Sequence, residues 1–351
     1  MNKIYIIDLV NDVKGHYFMM ESLSKIPDTI KIDTQEKKIL LKKHPISGFI
    51  ERIKMYRRCL SQIPKSQESK IAHFLTGDKF YMLPFLYGKK SRNLRFVMTL
   101  HRFPKNRILQ VLLKNFSAQL SKVIVYSDYL KECCNKIGIF NVEVIPYASF
   151  YNYSHIRSKS ELKSFYGVKD KYVFTSLGGT RLEKGLDILL NSFEYIDATI
   201  KKQIVLNVAG LELEISKDEI LKLSKKYGVD LLLNLKMLTD VEFCEQVNIS
   251  DVMVIPYRCS FNSGASGPMT EAMSRGIPCI FPNSGSLSYY KRYEVGDTFE
   301  IENPKSLAKT IMEIIPKLAD KKYGNKQNLF LECNYINQHR ILYNEIINKS
   351  C

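Results

Sequence analysis

Between the apolar run Tyr172–Leu177 and the amphipathic stretch Leu186–Tyr195 the chain places Gly178, Gly179, Arg181 and Lys184. The glycines permit a tight turn and close approach of a ligand to the backbone. A guanidinium can grip a phosphate with two donors, and an ammonium adds a point charge. Two cations at a helix start oppose the helix dipole, so as plain solvated side chains they need another reason to be there. A phosphate supplies it, because the backbone N–H groups of such a turn also point at an anion. A second turn of this kind follows the strand candidate Asp251–Ile255. There Ser266 and Gly267 open a helix, and Pro268 sits where no N–H partner is required. Glu271, about one turn further on, can accept hydrogen bonds from a ribose diol or stand as an ordinary helix-start carboxylate; the residue type leaves both open. Gly276 and Pro278 end that helix and begin the next strand.

These side chains need a scaffold, and the hydrophobic pattern supplies one. Strand candidates in the first half are Lys3–Leu9, Lys70–Leu75, Arg95–Leu100, Lys122–Tyr126 and Val142–Ile145; in the second they are Tyr172–Leu177, Gln203–Ala209, Asp230–Leu233, Asp251–Ile255 and Pro278–Phe281. Helical periods such as Lys217–Tyr227 and Gly267–Ser274 lie between them. Continuous apolar strands separated by helices predict an α/β protein with parallel sheets covered on both faces. At 351 residues the chain suits two domains. The expected layout is a Rossmann-like domain over 1–150, a polar linker over 151–171 and a second Rossmann-like domain over 172–326. A C-terminal helix over 327–351 would pack back across them. In open sheets of this kind ligands sit beyond the carboxyl ends of the strands, where both glycine-bearing turns fall.

The pair Gly178-GTRLEKGLDILLNSF and Asp251-VMVIPYRCSFNSGASGPMTEAMSRGIPCI resembles the donor-binding half of retaining GT-B glycosyltransferases, family four, over most of residues 172–315. The resemblance implies two Rossmann-like domains facing a cleft, and transfer of a sugar from a nucleotide diphosphate to a hydroxyl with retention of configuration. It assigns the donor diphosphate to Arg181 and Lys184 and the ribose to Glu271. Gly178, Gly179, Gly210, Ser266 and Gly267 line the donor site, and Leu238, in Leu235-KMLTDVEF, borders the base. A UDP-sugar is favoured over a GDP-sugar, with no cofactor and no metal. Where the family often carries a second, earlier glutamate, this chain has Ser263. In the first half Arg95-FVMTLHRF resembles the strand whose histidine faces the donor sugar. That gives His101 the role, although it could equally be a hydrogen-bonded strand-end histidine. Asp12-VKGHYF, with Gly15 and His16, is the expected acceptor-side loop. The leaving diphosphate gathers charge in the transition state, so fixed cations there stabilise it beyond the ground state. No carboxylate pair stands out as an acid/base couple, and the resemblance implies that the departing phosphate helps to deprotonate the acceptor.

Charge raises the question of partners. The net charge is +16, and residues 31–70 hold eleven Lys/Arg against four Asp/Glu, residues 88–122 nine against none. Such a basic half fits an anionic membrane surface, nucleic acid or solvated faces. Nucleic acid is disfavoured, since no reading module is present. Ser47-GFIERIKMYRRCLSQI aligns Phe49, Ile50, Ile53, Tyr56, Leu60 and Ile63 beside Arg52, Arg57 and Arg58, which suits an interfacial helix or a core-facing one. No apolar run is long enough to span a bilayer, and Met1-NKIYIIDLV reads as a first strand, not as a signal peptide. Eight cysteines without metal spacing read as reduced, packed thiols. The lack of Trp and the abundance of Lys, Ile and Asn suggest an AT-rich bacterial gene. The resulting expectation is a cytoplasmic, membrane-peripheral enzyme of surface-polysaccharide or lipopolysaccharide assembly with a saccharide or lipid-linked acceptor. The alternatives are a non-catalytic nucleotide-sugar-binding protein and a basic membrane- or nucleic-acid-binding protein.

Overall fold

A computed structural model describes residues 3–8, 14–32, 45–77, 93–261, 264–319, 323 and 326–348. The chain divides into two compact units, Met1–Pro146 with Glu332–Cys351 and Tyr147–Leu331. The first holds a six-stranded sheet of β1 (Lys3–Ile7), β2 (Thr29–Lys31), β3 (Lys70–Phe74), β4 (Leu94–Thr99), β5 (Lys122–Val125) and β6 (Val142–Val144), in the order β2-β1-β3-β4-β5-β6. The second holds β7 (Tyr172–Leu177), β8 (Ile204–Ala209), β9 (Asp230–Asn234), β10 (Val252–Val254), β11 (Cys279–Pro282) and β12 (Gly296–Phe299), in the order β12-β11-β10-β7-β8-β9. Every strand pairing in both sheets is parallel.

The apolar runs behave as a doubly covered sheet demands. All residues of β3 and β8 are buried. Helix Leu186–Ser192 lays Leu186, Leu189 and Leu190 on the second sheet, where Phe174, Leu206 and Ile280 form the core with Ile311 and Ile314 of helix Pro304–Ala319. Two strands escaped the pattern. In β2 only three residues pair and two of them are exposed, while β12 reads Gly-Asp-Thr-Phe, too short and mixed to show a period.

Two expectations about layout are corrected, and one open alternative is decided. The boundary falls after Pro146, and residues 151–171 are not a linker but part of the second unit. Helix Lys159–Phe165 and the turn after it bury Leu162 and Val168 against Val173, Val205 and Ile249. The C-terminal stretch divides: the 3-10 turn Gln327–Phe330 belongs to the second unit, whereas helix Glu332–Asn348 belongs to the first. There His73 Nδ1 meets Tyr343 OH at 2.6 Å, and His73 and His339 stack at 5.8 Å. Finally, helix Pro45–Ser61 is core-facing: Met55, Tyr56 and Cys59 are buried among Phe74, Leu113 and Phe116, which commits most of its apolar face.

Candidate functional site

Each sheet reverses strand order at one point, between β1 and β3 and between β7 and β10. Crevices open at such switch points beyond the carboxyl ends of the strands. In the second unit the switch point is where the glycine turn emerges. Leu177 pairs with Ala209, so Gly178 and Gly210 leave β7 and β8 side by side. They pack so closely that a Cβ on Gly210 would lie 2.3 Å from the Gly178 carbonyl oxygen, at φ +130°. A Cβ on Gly178, at φ +124°, would lie 2.3 Å from Lys184 Nζ. The backbone angle is what requires glycine at 178, and the lysine ammonium occupies the space a side chain would take. Lys184 Nζ also lies 5.8 Å from the centre of the Tyr257 ring, and the two share a small recess with Gly178, Gly179 and Val254.

The cations do not cap a regular helix. Leu182–Lys184 is a 3-10 turn, and the α-helix begins only after Gly185, which is left-handed at φ +70° and would press a Cβ to 2.0 Å from the Pro256 carbonyl oxygen. Arg181 is half-exposed, pairs with Glu183 at 2.9 Å and lies 5.1 Å from the Phe261 ring centre. The guanidinium is thus held between a carboxylate and an aromatic face. Arg258 staples the turn from β10, giving its Nε to Leu182 O at 3.0 Å, its backbone N–H to Glu183 O at 3.0 Å and its Nη2 to Asp187.

Ser266 caps helix Gly267–Ser274, accepting from Met269 N at 3.4 Å, and its hydroxyl meets Tyr257 OH at 3.0 Å. Pro268 has no N–H, and Thr270 N donates to Ser266 O at 2.9 Å, so Gly267 alone of the first four residues keeps an N–H outside the cap. A Cβ on Gly267 would meet nothing within 4 Å, so the space on its side-chain face is open. Leu238 lies partly buried against the core behind this helix.

Glu271 is not at an open helix start. It is 3% exposed and bound by the segment just past the unit boundary. Its Oε2 accepts from Ser149 Oγ and from Tyr153 OH at 3.1 Å, and its Oε1 from Phe150 N at 3.4 Å. Burial drives its carboxyl up to about 7 against the opposing pull of those donors and of the Arg275 charge.

In the first unit the switch point brings Asp8 and Thr76 into a hydrogen bond at the ends of β1 and β3. His101 follows β4. Its Nε2 lies 2.7 Å from Leu75 O, and because a carbonyl only accepts, Nε2 carries the proton, while Nδ1 can accept from Tyr126 OH at 3.5 Å. Its ring meets Tyr126 edge-on at 5.2 Å. Of the expected acceptor-side loop, Asp12 and Val13 lie outside the described residues, and the chain is helical from Lys14, so Gly15 and His16 fall in the first turn of helix Lys14–Leu23. Ser263 is also outside the described residues. Among the described residues no group of three or more His, Cys, Asp or Glu side chains is placed to hold a metal ion.

Sequence reasoning passed over Ser149, Tyr153, Glu183, Tyr257 and Arg258. Only Tyr257 and Arg258 carried a signal, their place directly after a strand at the carboxyl edge of the sheet; Ser149 and Tyr153 reach Glu271 from over 100 positions away.

Residues 158–326 match the family described as glycosyl transferases group 1. No curated protein matches the sequence significantly. Among solved structures, HepE from Anabaena in complex with UDP superposes with a TM-score of 0.73 at 15% identity, covering 98% of this chain and 100% of that one. Sucrose-phosphate synthase from Thermosynechococcus elongatus gives 0.69 at 15%, covering 99% and 100%. WaaG, a glycosyltransferase involved in lipopolysaccharide biosynthesis, gives 0.62 at 12%, covering 97% and 99%.

Proposed function

We propose, from the premise that this chain is a GT-B glycosyltransferase of group 1, that it moves a hexose from a nucleoside diphosphate sugar to a saccharide hydroxyl with retention of configuration. The observation that carries the reading is the Lys184 ammonium set over Gly178 at the switch point, on a turn that Arg181 opens. In this reading Lys184 and Arg181 take the diphosphate, Arg181 exchanging Glu183 for phosphate oxygens. The charge that builds on the departing diphosphate meets two cations already in place, and the diphosphate in turn helps to take the acceptor proton. The reaction then needs no divalent cation. Glu271 receives the ribose, Leu238 borders the base, and the Gly267 N–H offers one more donor. His101 is assigned the role of facing the transferred sugar. UDP is favoured over GDP as the nucleotide, in keeping with the UDP-bound HepE.

The acceptor proposed is lipid-linked and the enzyme peripheral on the inner face of a bacterial membrane, acting in surface-polysaccharide or lipopolysaccharide assembly. Support comes from helix Arg107–Ser117 rather than from Pro45–Ser61. Ile108 and Val111, one turn apart, are 71% and 58% exposed, and Arg107 and Lys114 beside them are exposed too. An apolar pair flanked by cations suits an anionic lipid surface.

Arg181→Ala and Lys184→Ala test the diphosphate role. Losing one such electrostatic contact costs on the order of 3 kcal/mol of transition-state stabilisation, or about a hundredfold in kcat. Melting temperatures should hardly change, since neither side chain is in the core. The donor for the assay is the nucleotide sugar that raises the melting temperature most, because a ligand bound only by the folded state stabilises it. Near-normal turnover in both variants would remove the assignment.

A further inference from the structure

We propose that Ser149 and Tyr153 are positioning residues for Glu271: they hold its Oε2 and leave Oε1 to accept a ribose hydroxyl. The inference rests on the ribose role given to Glu271 above and deepens it.

A carboxylate oxygen has two lone-pair sites. Oε2 fills both, with Ser149 Oγ and Tyr153 OH, while Oε1 has only the long 3.4 Å contact from Phe150 N. One oxygen is therefore anchored and the other retains accepting capacity. The anchors are themselves fixed. Ser149 N donates to Phe330 O at 2.8 Å, and Phe330 is fully buried. The Tyr153 ring lies under the Arg275 guanidinium at 4.6 Å, and Tyr151, between the two donors, stacks on Phe243 at 4.7 Å.

The donors also bear on the charge of the site. Burial favours the neutral acid, whereas hydrogen bonds donated to the carboxylate favour the anion. A protonated Glu271 keeps a carbonyl oxygen but loses the charge that makes it a strong acceptor for a hydroxyl. The other titratable groups of this cluster are Tyr147, Tyr151 and Tyr153 on the segment, Cys244 and Asp240 on helix Asp240–Ile249, Cys279 on β11 and Arg275 on its own helix; the Gln327–Phe330 turn carries none. Burial raises the tyrosines and both cysteines, Cys244 to about 12. From pH 5.5 to 9, then, Glu271 is the group in this cluster that changes charge.

The test is calorimetric titration of the full chain with UDP and GDP, using the tighter of the two, from pH 5.5 to 9. Glu271→Gln serves as the reference that cancels titration of the phosphates. The ratio of wild-type to Glu271→Gln affinity should fall as pH drops through about 7. Ser149→Ala and Tyr153→Phe should each raise that midpoint by about one pH unit, weakening binding at pH 7 several-fold and restoring it near pH 9. Ser149→Thr, which keeps a hydroxyl, should behave as wild type. If Glu271→Gln binds like wild type at every pH, or neither nucleotide binds, the ribose reading fails and this inference with it. If Glu271→Gln is weakened but neither alanine nor phenylalanine moves the midpoint, only the inference is overturned. Should Ser149→Ala fail to fold, Tyr153→Phe decides, since it keeps the ring beneath Arg275.

Discussion

Alanine at Gly178 puts a methyl carbon where the Lys184 ammonium sits. The new Cβ would lie 2.3 Å from Nζ, against 3.4 Å for an ordinary contact, so the ammonium must retreat by about 1 Å. It can do so, being the end of a flexible side chain. The backbone strain is separate: φ +124° is a conformation that L-residues rarely adopt, and holding alanine there costs about 1–3 kcal/mol of stability. The protein should still fold, with a lower Tm. Catalysis should suffer more, because a misplacement of about 1 Å in a charge that acts on the transition state is worth on the order of a hundredfold. That loss matches the one expected for Lys184→Ala, and the two should not add. In a double-mutant cycle, Gly178→Ala/Lys184→Ala should turn over no more slowly than Lys184→Ala, with a coupling energy near the full effect of either change. The assay is kcat/KM for the donor found by thermal shift, with Tm measured on all four proteins. If Gly178→Ala keeps wild-type kcat/KM, or if the two losses multiply, then Gly178 does not act through the lysine and the reasoning is wrong.

Two further outcomes follow from other parts of the molecule. His73 and His339 are buried neutral, with burial pushing both below their ordinary value and His339 to about 4. The unfolded chain takes up those protons first, so stability should be full above pH 6.5 and decline as pH falls from 6.5 toward 4, by roughly 3 kcal/mol for His339 alone; urea midpoints at pH 7.5 and 5 check this, and an unchanged slope in His73→Gln/His339→Gln would refute it. Reversing Arg107 and Lys114 to glutamate should weaken binding to anionic vesicles at least tenfold, at about 1 kcal/mol per cation, and rising salt should do the same to wild type; equal cosedimentation with neutral and anionic vesicles would count against the membrane role.

The scaffold was legible because buried parallel strands write themselves as unbroken apolar runs, and ten of them could be read that way. What escaped was short or mixed: β2, with two of its three residues exposed, and β12, where glycine and aspartate break the run. In the site, the glycines and cations stood out because their types are costly in such a turn unless something is held there. The same reasoning could not foresee that Gly178 makes room for Lys184 rather than for a ligand, since that depends on where the side chain folds back. Nor could it see that Glu271 is enclosed by Ser149 and Tyr153, a contact made by the topology and not by local spacing. The amphipathic stretch Ser47–Ile63 stayed ambiguous for a related reason. Period alone does not say whether an apolar face meets lipid or core, and here Met55, Tyr56 and Cys59 meet core.

The return of helix Glu332–Asn348 to the first unit has a consequence for the order of synthesis. Residues 147–331 form an unbroken stretch, so the second unit is complete on the ribosome as soon as Leu331 has emerged. The first unit was made earlier but is still missing the helix that covers His73, and its polar pair with Tyr343 has no partner until position 343 is translated. The usual sequence, in which the amino-terminal domain matures first, is therefore inverted. A nascent chain stopped at Leu331 would carry a finished second unit joined to an unfinished neighbour, and proteolysis of such a chain should fall in the first unit.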